Sequence, residues 1–277
     1  MRLGATIYTK YADPDQWVAV LKERGYRAAY APVGLDAWAE EATAYRNAAE
    51  RERIVIAEVG AWSNPLSSDP AVRAEALAKC KKALDLADRL GARCCVNIAG
   101  SRGAKWDGPD PRDLTGETFE MIVAMVREII DEVKPKRTWY TLETMPWMYP
   151  DSTDSYLKLL RAIDRKAFAV HFDPVNMVSS PQLYFRSGDL IRDFIARLGP
   201  HIKSCHVKDI ILRDQLTTHL DEVRPGLGKL DYPALFASLG ALDADLPVMI
   251  EHLPNAEEVD LAAAYIRKAA SECGVKL

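Results

Sequence analysis

Phe168-Ala169-Val170-His171-Phe172-Asp173, then Leu190-Ile191-Arg192-Asp193-Phe194-Ile195-Ala196-Arg197-Leu198-Gly199, then Ile202-Lys203-Ser204-Cys205-His206-Val207: these three runs, within the forty residues from Phe168 to Val207, decide the fold. The outer runs are short, apolar and β-rich, and the middle one repeats its apolar residues at helical steps before a glycine. This is a strand-helix-strand unit. The same rhythm extends in both directions, with further strands expected at Leu3–Tyr8, Ala28–Pro32, Ile54–Val59, Cys94–Ala99, Thr138–Glu143 and Val248–Glu251, eight in all. Ala71–Leu90 is the longest helical pattern, with Ala76, Leu77, Ala83, Leu84, Ala87 and Leu90 on one face. Gly25, Gly91 and Gly199 are expected to end helices in the left-handed conformation. Asp13-Pro14 and Ser68-Asp69-Pro70 place a capping side chain before a first-turn proline.

Alternating strands and helices either close into a barrel or stay open as a doubly wound sheet. No strand is followed by a GxGxxG turn, and polar residues gather at the C-terminal ends of strands five to eight, so a single (β/α)8 barrel over residues 1–277 is expected. The longest breaks in the rhythm are Gly100–Gly116 and Lys208–Tyr232, and loops of that length at this face often carry function.

The length of 277 residues suits one such barrel, typically about 250 residues. An apolar fraction of 48% and a charged fraction of 27% allow an ordinary core and argue against disorder. A net charge of −4, with no cluster of Lys and Arg, counts against nucleic acid as a partner. No signal-like N-terminal segment or membrane-length apolar run is evident, so a cytoplasmic location is expected. Cys80, Cys94, Cys95, Cys205 and Cys273 show no metal-binding spacing and read as reduced thiols, with Cys94 and Cys95 buried on opposite sides of a sheet.

Four runs end in a side chain able to bind a metal: Glu143, Asp173, His206 and Glu251. Strand alternation puts Glu143 on one face with Thr141, Asp173 with His171, His206 with Ser204 and Glu251 with Met249, while Leu142, Phe172, Val207 and Ile250 take the other. Strands lie about 4.8 Å apart, so the four ends bring three carboxylates and an imidazole around one point. So much buried negative charge needs a cation. Three oxygens and one nitrogen suit one divalent ion, Mn²⁺ first, with Mg²⁺, Co²⁺ and Zn²⁺ compatible.

Several motifs then carry a resemblance: Leu142-Glu143-Thr144-Met145-Pro146, Phe172-Asp173-Pro174-Val175-Asn176, His206-Val207-Lys208-Asp209, Pro225-Gly226-Leu227-Gly228 and Ile250-Glu251-His252, with Asn64-Pro65-Leu66-Ser67 and Leu86–Ala92 earlier. Over nearly the whole chain these resemble the sugar isomerase/epimerase group of the xylose-isomerase-like barrels, which includes ketose 3-epimerases, hydroxypyruvate isomerase and inosose dehydratase. The resemblance implies that Glu143, Asp173, His206 and Glu251 bind Mn²⁺ or Co²⁺ and that Glu143 and Glu251 double as acid and base on a keto-sugar or polyol derivative. The metal would chelate a carbonyl oxygen and an adjacent hydroxyl, and an enediolate would form as one glutamate removes a carbon-bound proton and the other returns it. Barrels of this kind often form homodimers or homotetramers, but no stripe in the sequence specifies either.

The chain departs from that pattern at Asn176, where sugar epimerases often have a histidine; an amide can bind a hydroxyl but cannot shuttle a proton. Lys208, sharing the parity of His206, is the preferred basic substrate contact, with Arg213 as its rival. Glu58, at the end of the third strand, and Trp62, after it, are further substrate-contact candidates, and Trp106, Trp147 and Tyr149 are candidates for an apolar wall. His171 is read as a core histidine able to orient a ligand, His219 as a loop residue, and His201 and His252 are given no role. The nearest rival activity is a lyase or dehydratase acting through the same enediolate on a keto-inositol or 3-keto-glycoside. An apurinic-site nuclease lacks its extra histidines here, and a non-catalytic sugar-binding barrel leaves a complete ligand set unexplained.

Overall fold

All eight expected runs form strands, ending within a few residues of the sequence-based bounds. The structure, a computed structural model, describes residues 1–277. In chain order the strands are β1 (Arg2–Ala5), β2 (Ala28–Tyr30), β3 (Val55–Gly60), β4 (Cys94–Asn97), β5 (Tyr140–Glu143), β6 (Phe168–Phe172), β7 (Ile202–Val207), β8 (Asp209–Leu212), β9 (Leu220–Val223) and β10 (Pro247–Ile250). The helices are α1 (Pro14–Glu23), α2 (Ala39–Glu52), α3 (Pro70–Leu90), α4 (Gly116–Val133), α5 (Thr153–Ile163), α6 (Pro181–Phe185), α7 (Ser187–Leu198), α8 (Tyr232–Leu239) and α9 (Ala256–Glu272).

Eight strands pair in parallel in the order β1-β10-β7-β6-β5-β4-β3-β2. At the remaining seam Arg27 N donates to Leu3 O at 2.9 Å, so the sheet closes into a (β/α)8 barrel. Gly4 makes that closure possible, since a Cβ there would stand 2.5 Å from Ala28 O. The alternation expected from sequence is present. Leu142, Phe172, Val207 and Ile250 pack in the main core under the helices, while Ala28, Ala57 and Met249 form a small cluster of their own. Cys94 and Cys95 are both fully buried, and only Cys95 belongs to the main core.

The capping signals act as expected at α1 and α3, where Asp13 and Asp69 accept backbone N–H groups and proline opens the helix. Gly25 and Gly91 have φ of +68° and +66°. Gly199 corrects the third expectation: its φ is −46°, because Gly199–His201 continues as a 3-10 turn through Pro200. There glycine provides room, as a Cβ would lie 2.9 Å from Leu242. The long segment Lys208–Tyr232 also differs from the expected loop, because β8 and β9 form an antiparallel hairpin within it. No helix is long and apolar enough to cross a membrane.

Candidate active site

The register fixes the site. Glu143 aligns with His171, His171 with Ser204, and His206 with Met249, so all project toward the barrel axis. Asp173 and Glu251 lie one residue beyond β6 and β10. Ligand atoms of Glu143, Asp173, His206 and Glu251 come within 4.8 Å of one another. His206 Nδ1 is 3.0 Å from Glu143 Oε1, 3.0 Å from Glu251 Oε1 and 3.9 Å from Asp173 Oδ2.

Backbone and neighbouring groups aim these oxygens. Asp173 Oδ1 accepts the N–H groups of Val175 and Asn176, and Asn176 Nδ2 donates to Glu143 Oε1 at 3.2 Å. Asp173 Oδ2 and Glu251 Oε1 are buried without a hydrogen-bond partner. Lys208 Nζ stands 2.8 and 2.5 Å from them, offering charge without a hydrogen-bonding alignment. Two orphaned carboxylate oxygens beside an imidazole nitrogen are the donor set a divalent cation requires. The four residues can therefore hold a metal ion.

Electrostatics reflect that crowding. Burial raises the Glu143 carboxyl, and the Glu251 charge adds to it, so it stays above the usual carboxylate range despite His206 and Lys208. Burial acts on Glu251 in the same sense, but His206 and Lys208 outweigh it and hold Glu251 well below that range. For His206 and Lys208 burial opposes the charge, yet the surrounding carboxylates keep both protonated well above their ordinary values. A bound divalent ion would be the largest charge present and would favour both glutamates in their ionised form.

Beneath the cluster the structure corrects one expectation. Glu58 is only 1% exposed and does not reach the cavity as a substrate contact. Its Oε2 lies 3.1 Å from His206 Nε2, and its Oε1 accepts from Ser204 Oγ at 2.7 Å. His171 Nε2 is 3.4 Å away. Glu58 thus holds the far nitrogen of His206 and leaves Nδ1 to face the acidic cluster. Arg213 is corrected too: half exposed on the hairpin, it pairs with Asp221 at 2.8 Å and lines no part of the cavity.

Above the cluster opens a cavity of about 480 Å³ lined by the sequence-derived candidates Glu143, Asn176, Lys208, Glu251 and Trp62, and also by His252. Parity placed His252 on the outer face, but β10 ends at Ile250 and His252 adopts φ +56°, turning its ring back over the mouth. Glu222 on β9 reaches His252 Nδ1 at 3.0 Å and Lys208 Nζ at 3.4 Å. The hairpin therefore contributes a site-edge carboxylate that sequence reading missed. Trp106 lines the cavity. Trp147 and Tyr149 instead anchor loops through Asp107 O and Leu114 O. Asp209 accepts the N–H groups of Gly226, Gly228 and Leu230, which explains the Pro225–Gly228 turn as a cradle for this carboxylate.

The model of the xylose isomerase-like TIM barrel family matches residues 18–269. The chain belongs to that family. No curated protein matches it in sequence. Among solved structures it is similar to D-psicose 3-epimerase with D-tagatose from Clostridium cellulolyticum H10, at 14% identity and a TM-score of 0.70 over 100% of both chains. A probable 3-DHS dehydratase from Bacillus anthracis is 18% identical, with a TM-score of 0.68 over 96% of this chain and 98% of that one. A xylose isomerase-like TIM barrel protein from Mycobacterium smegmatis in complex with magnesium is 16% identical, with a TM-score of 0.65 over 95% of this chain and 90% of that one. At these identities the likeness is one of fold.

Proposed function

We propose that this barrel is a divalent-metal-dependent isomerase or epimerase of a keto-sugar or polyol derivative, with Glu143 and Glu251 exchanging the proton. The observation that carries the reading is a group of four converging side chains able to hold a metal ion, at the floor of a cavity that both glutamates line. Glu143, Asp173, His206 and Glu251 would hold the ion, Mn²⁺ first, and magnesium in a similar barrel supports a hard divalent cation. When bound, the ion supplies Lewis-acid polarisation of a carbonyl and its neighbouring hydroxyl, which acidifies the hydrogen on the carbon beside the carbonyl.

The protein's own groups do the rest. Glu143 and Glu251 come from strands separated in the sheet by β6 and β7, so they approach a bound ring from different sides. One removes the proton and the other returns it. Asn176 holds Glu143 Oε1 in place, and Lys208 Nζ offers a charged donor to a substrate oxygen. The buried floor around Glu58, His171 and Ser204 excludes water from beneath the reacting carbons.

A lyase or dehydratase reading has one observation in its favour. His252, raised by its hydrogen bond to Glu222, overhangs the cavity as an acid able to protonate a departing oxygen. The deciding test strips the protein with chelator, restores Mn²⁺ and follows solvent deuterium into ketoses, inososes and 3-keto-glycosides by NMR. Metal-dependent exchange that Glu143→Gln abolishes supports the proposal, and the product separates epimerase from lyase. A protein that binds Mn²⁺ stoichiometrically yet exchanges no compound would overturn it.

A further inference from the structure

The cavity has an aromatic border set apart from its carboxylate floor. Its volume of about 480 Å³ lies within the range of about 300–1,000 Å³ usual for small-molecule sites. The border is formed by Trp62 and Trp106, whose residues remain 38% and 41% exposed although both line the cavity.

These two tryptophans sit on fastened loops. The Trp62 indole folds against Gly60, where a Cβ would stand 2.3 Å from Nε1. Asn64 clasps the next loop: its Nδ2 donates to Ser101 O at 2.8 Å, and its Oδ1 accepts from Ser101 N at 3.0 Å. Ser101 N also donates to Trp106 O at 3.0 Å, and buried Asp113 ties in Ser101, Arg102 and Asp110. Preformed indoles that stay partly exposed are suited to stacking on the face of a ring.

Two further observations define that ring. Asp107 lines the same cavity, and its Oδ1 is buried with no hydrogen-bond partner. An orphaned acceptor beside an indole matches a sugar, whose C–H face stacks while a hydroxyl donates. Lys208 is the only lysine or arginine lining the cavity, and Asp173, Glu251 and Glu222 already surround it. The lining thus offers a phosphate or carboxylate no arginine and a single lysine ringed by carboxylates.

We propose that Trp62, Trp106 and Asp107 form a second sugar subsite, so that the substrate is an uncharged keto-glycoside with its keto ring at the carboxylates and its neighbouring ring on the indoles. This rests on the isomerase, epimerase or lyase reading above. The test uses the Mn²⁺-loaded protein with methyl, phenyl and glucosyl 3-keto-glucosides, a free ketohexose and its phosphate ester, with deuterium exchange giving kcat/KM. The glucosyl compound is expected to exceed the methyl one by about tenfold, the value of one good ring stack. Trp106→Ala should remove most of that preference, and Asp107→Asn should lower the glucosyl value more than the phenyl one. Equal values for methyl and glucosyl compounds, a preference for the phosphate ester, or a phenyl compound equal to the glucosyl one and insensitive to Asp107→Asn would each overturn the proposal. If nothing exchanges, the reaction reading fails by itself and the subsite is judged by binding. Saturable quenching of tryptophan fluorescence by the glucosyl compound, absent in Trp106→Ala, supports it, and no quenching in the wild-type protein overturns it.

Discussion

His206 is held from both sides, by Glu58 at Nε2 and by Glu143 and Glu251 at Nδ1. Glu58→Gln keeps the shape of that contact but removes the charge that orients the imidazole. It is expected to weaken Mn²⁺ binding by about 10- to 100-fold, as loss of a carboxylate partner to a metal-binding histidine does; titration calorimetry would read this directly, and an unchanged Kd would remove Glu58 from the site. Lys208 makes a different prediction. In the metal-free protein its ammonium neutralises Asp173 and Glu251, so Lys208→Met leaves two buried carboxylates facing each other. That should destabilise the metal-free protein by about 3–5 kcal/mol, the usual effect of removing one partner from a buried ion pair. Mn²⁺ should restore much of the loss. Denaturant unfolding with and without the ion tests both halves, and a metal-free variant as stable as wild type would show that Lys208 does not neutralise the cluster.

Among the elements, the β3 and β4 loops act together because Asn64 joins them. Asn64→Ala leaves the C=O of Ser101 without its buried partner, while Ser101 N keeps Trp106 O, and one unsatisfied group costs about 1–3 kcal/mol. The barrel strands do not depend on this contact, so the loss should appear as raised hydrogen exchange confined to residues 100–116 before global stability falls. Protection unchanged in that segment would mean that the Asp113 network suffices. Gly60→Ala should act on the Trp62 indole, and a changed indole signal with little change in melting temperature is the expected signature. The β8–β9 hairpin shows why element reading from sequence stops short here. Asp209–Leu212 and Leu220–Val223 are short, only partly apolar and separated by a polar loop, so neither carries a strand signal strong enough to stand out from a loop.

Across the whole barrel, an ion held by Glu143, Asp173, His206 and Glu251 would join the ends of β5, β6, β7 and β10, four strands that are contiguous in the sheet. Binding only the folded state, Mn²⁺ should stabilise by about 4 kcal/mol at a thousandfold excess over its Kd. Calorimetry should show the melting temperature rising with Mn²⁺ and falling back on chelation, and indifference to both would argue against a structural link between ion and barrel.

The strand-helix alternation, the side-chain parity and thus the group Glu143, Asp173, His206 and Glu251 were legible in the sequence, because periodicity is local and a barrel turns one parity of every strand inward. His252, Glu222, Glu58 and Arg213 were not. Their positions depend on where a strand ends, on a left-handed turn after Ile250, on a hairpin crossing back to the mouth and on depth below it. Those distances are set by packing between elements far apart in the chain, and local pattern carries no record of them.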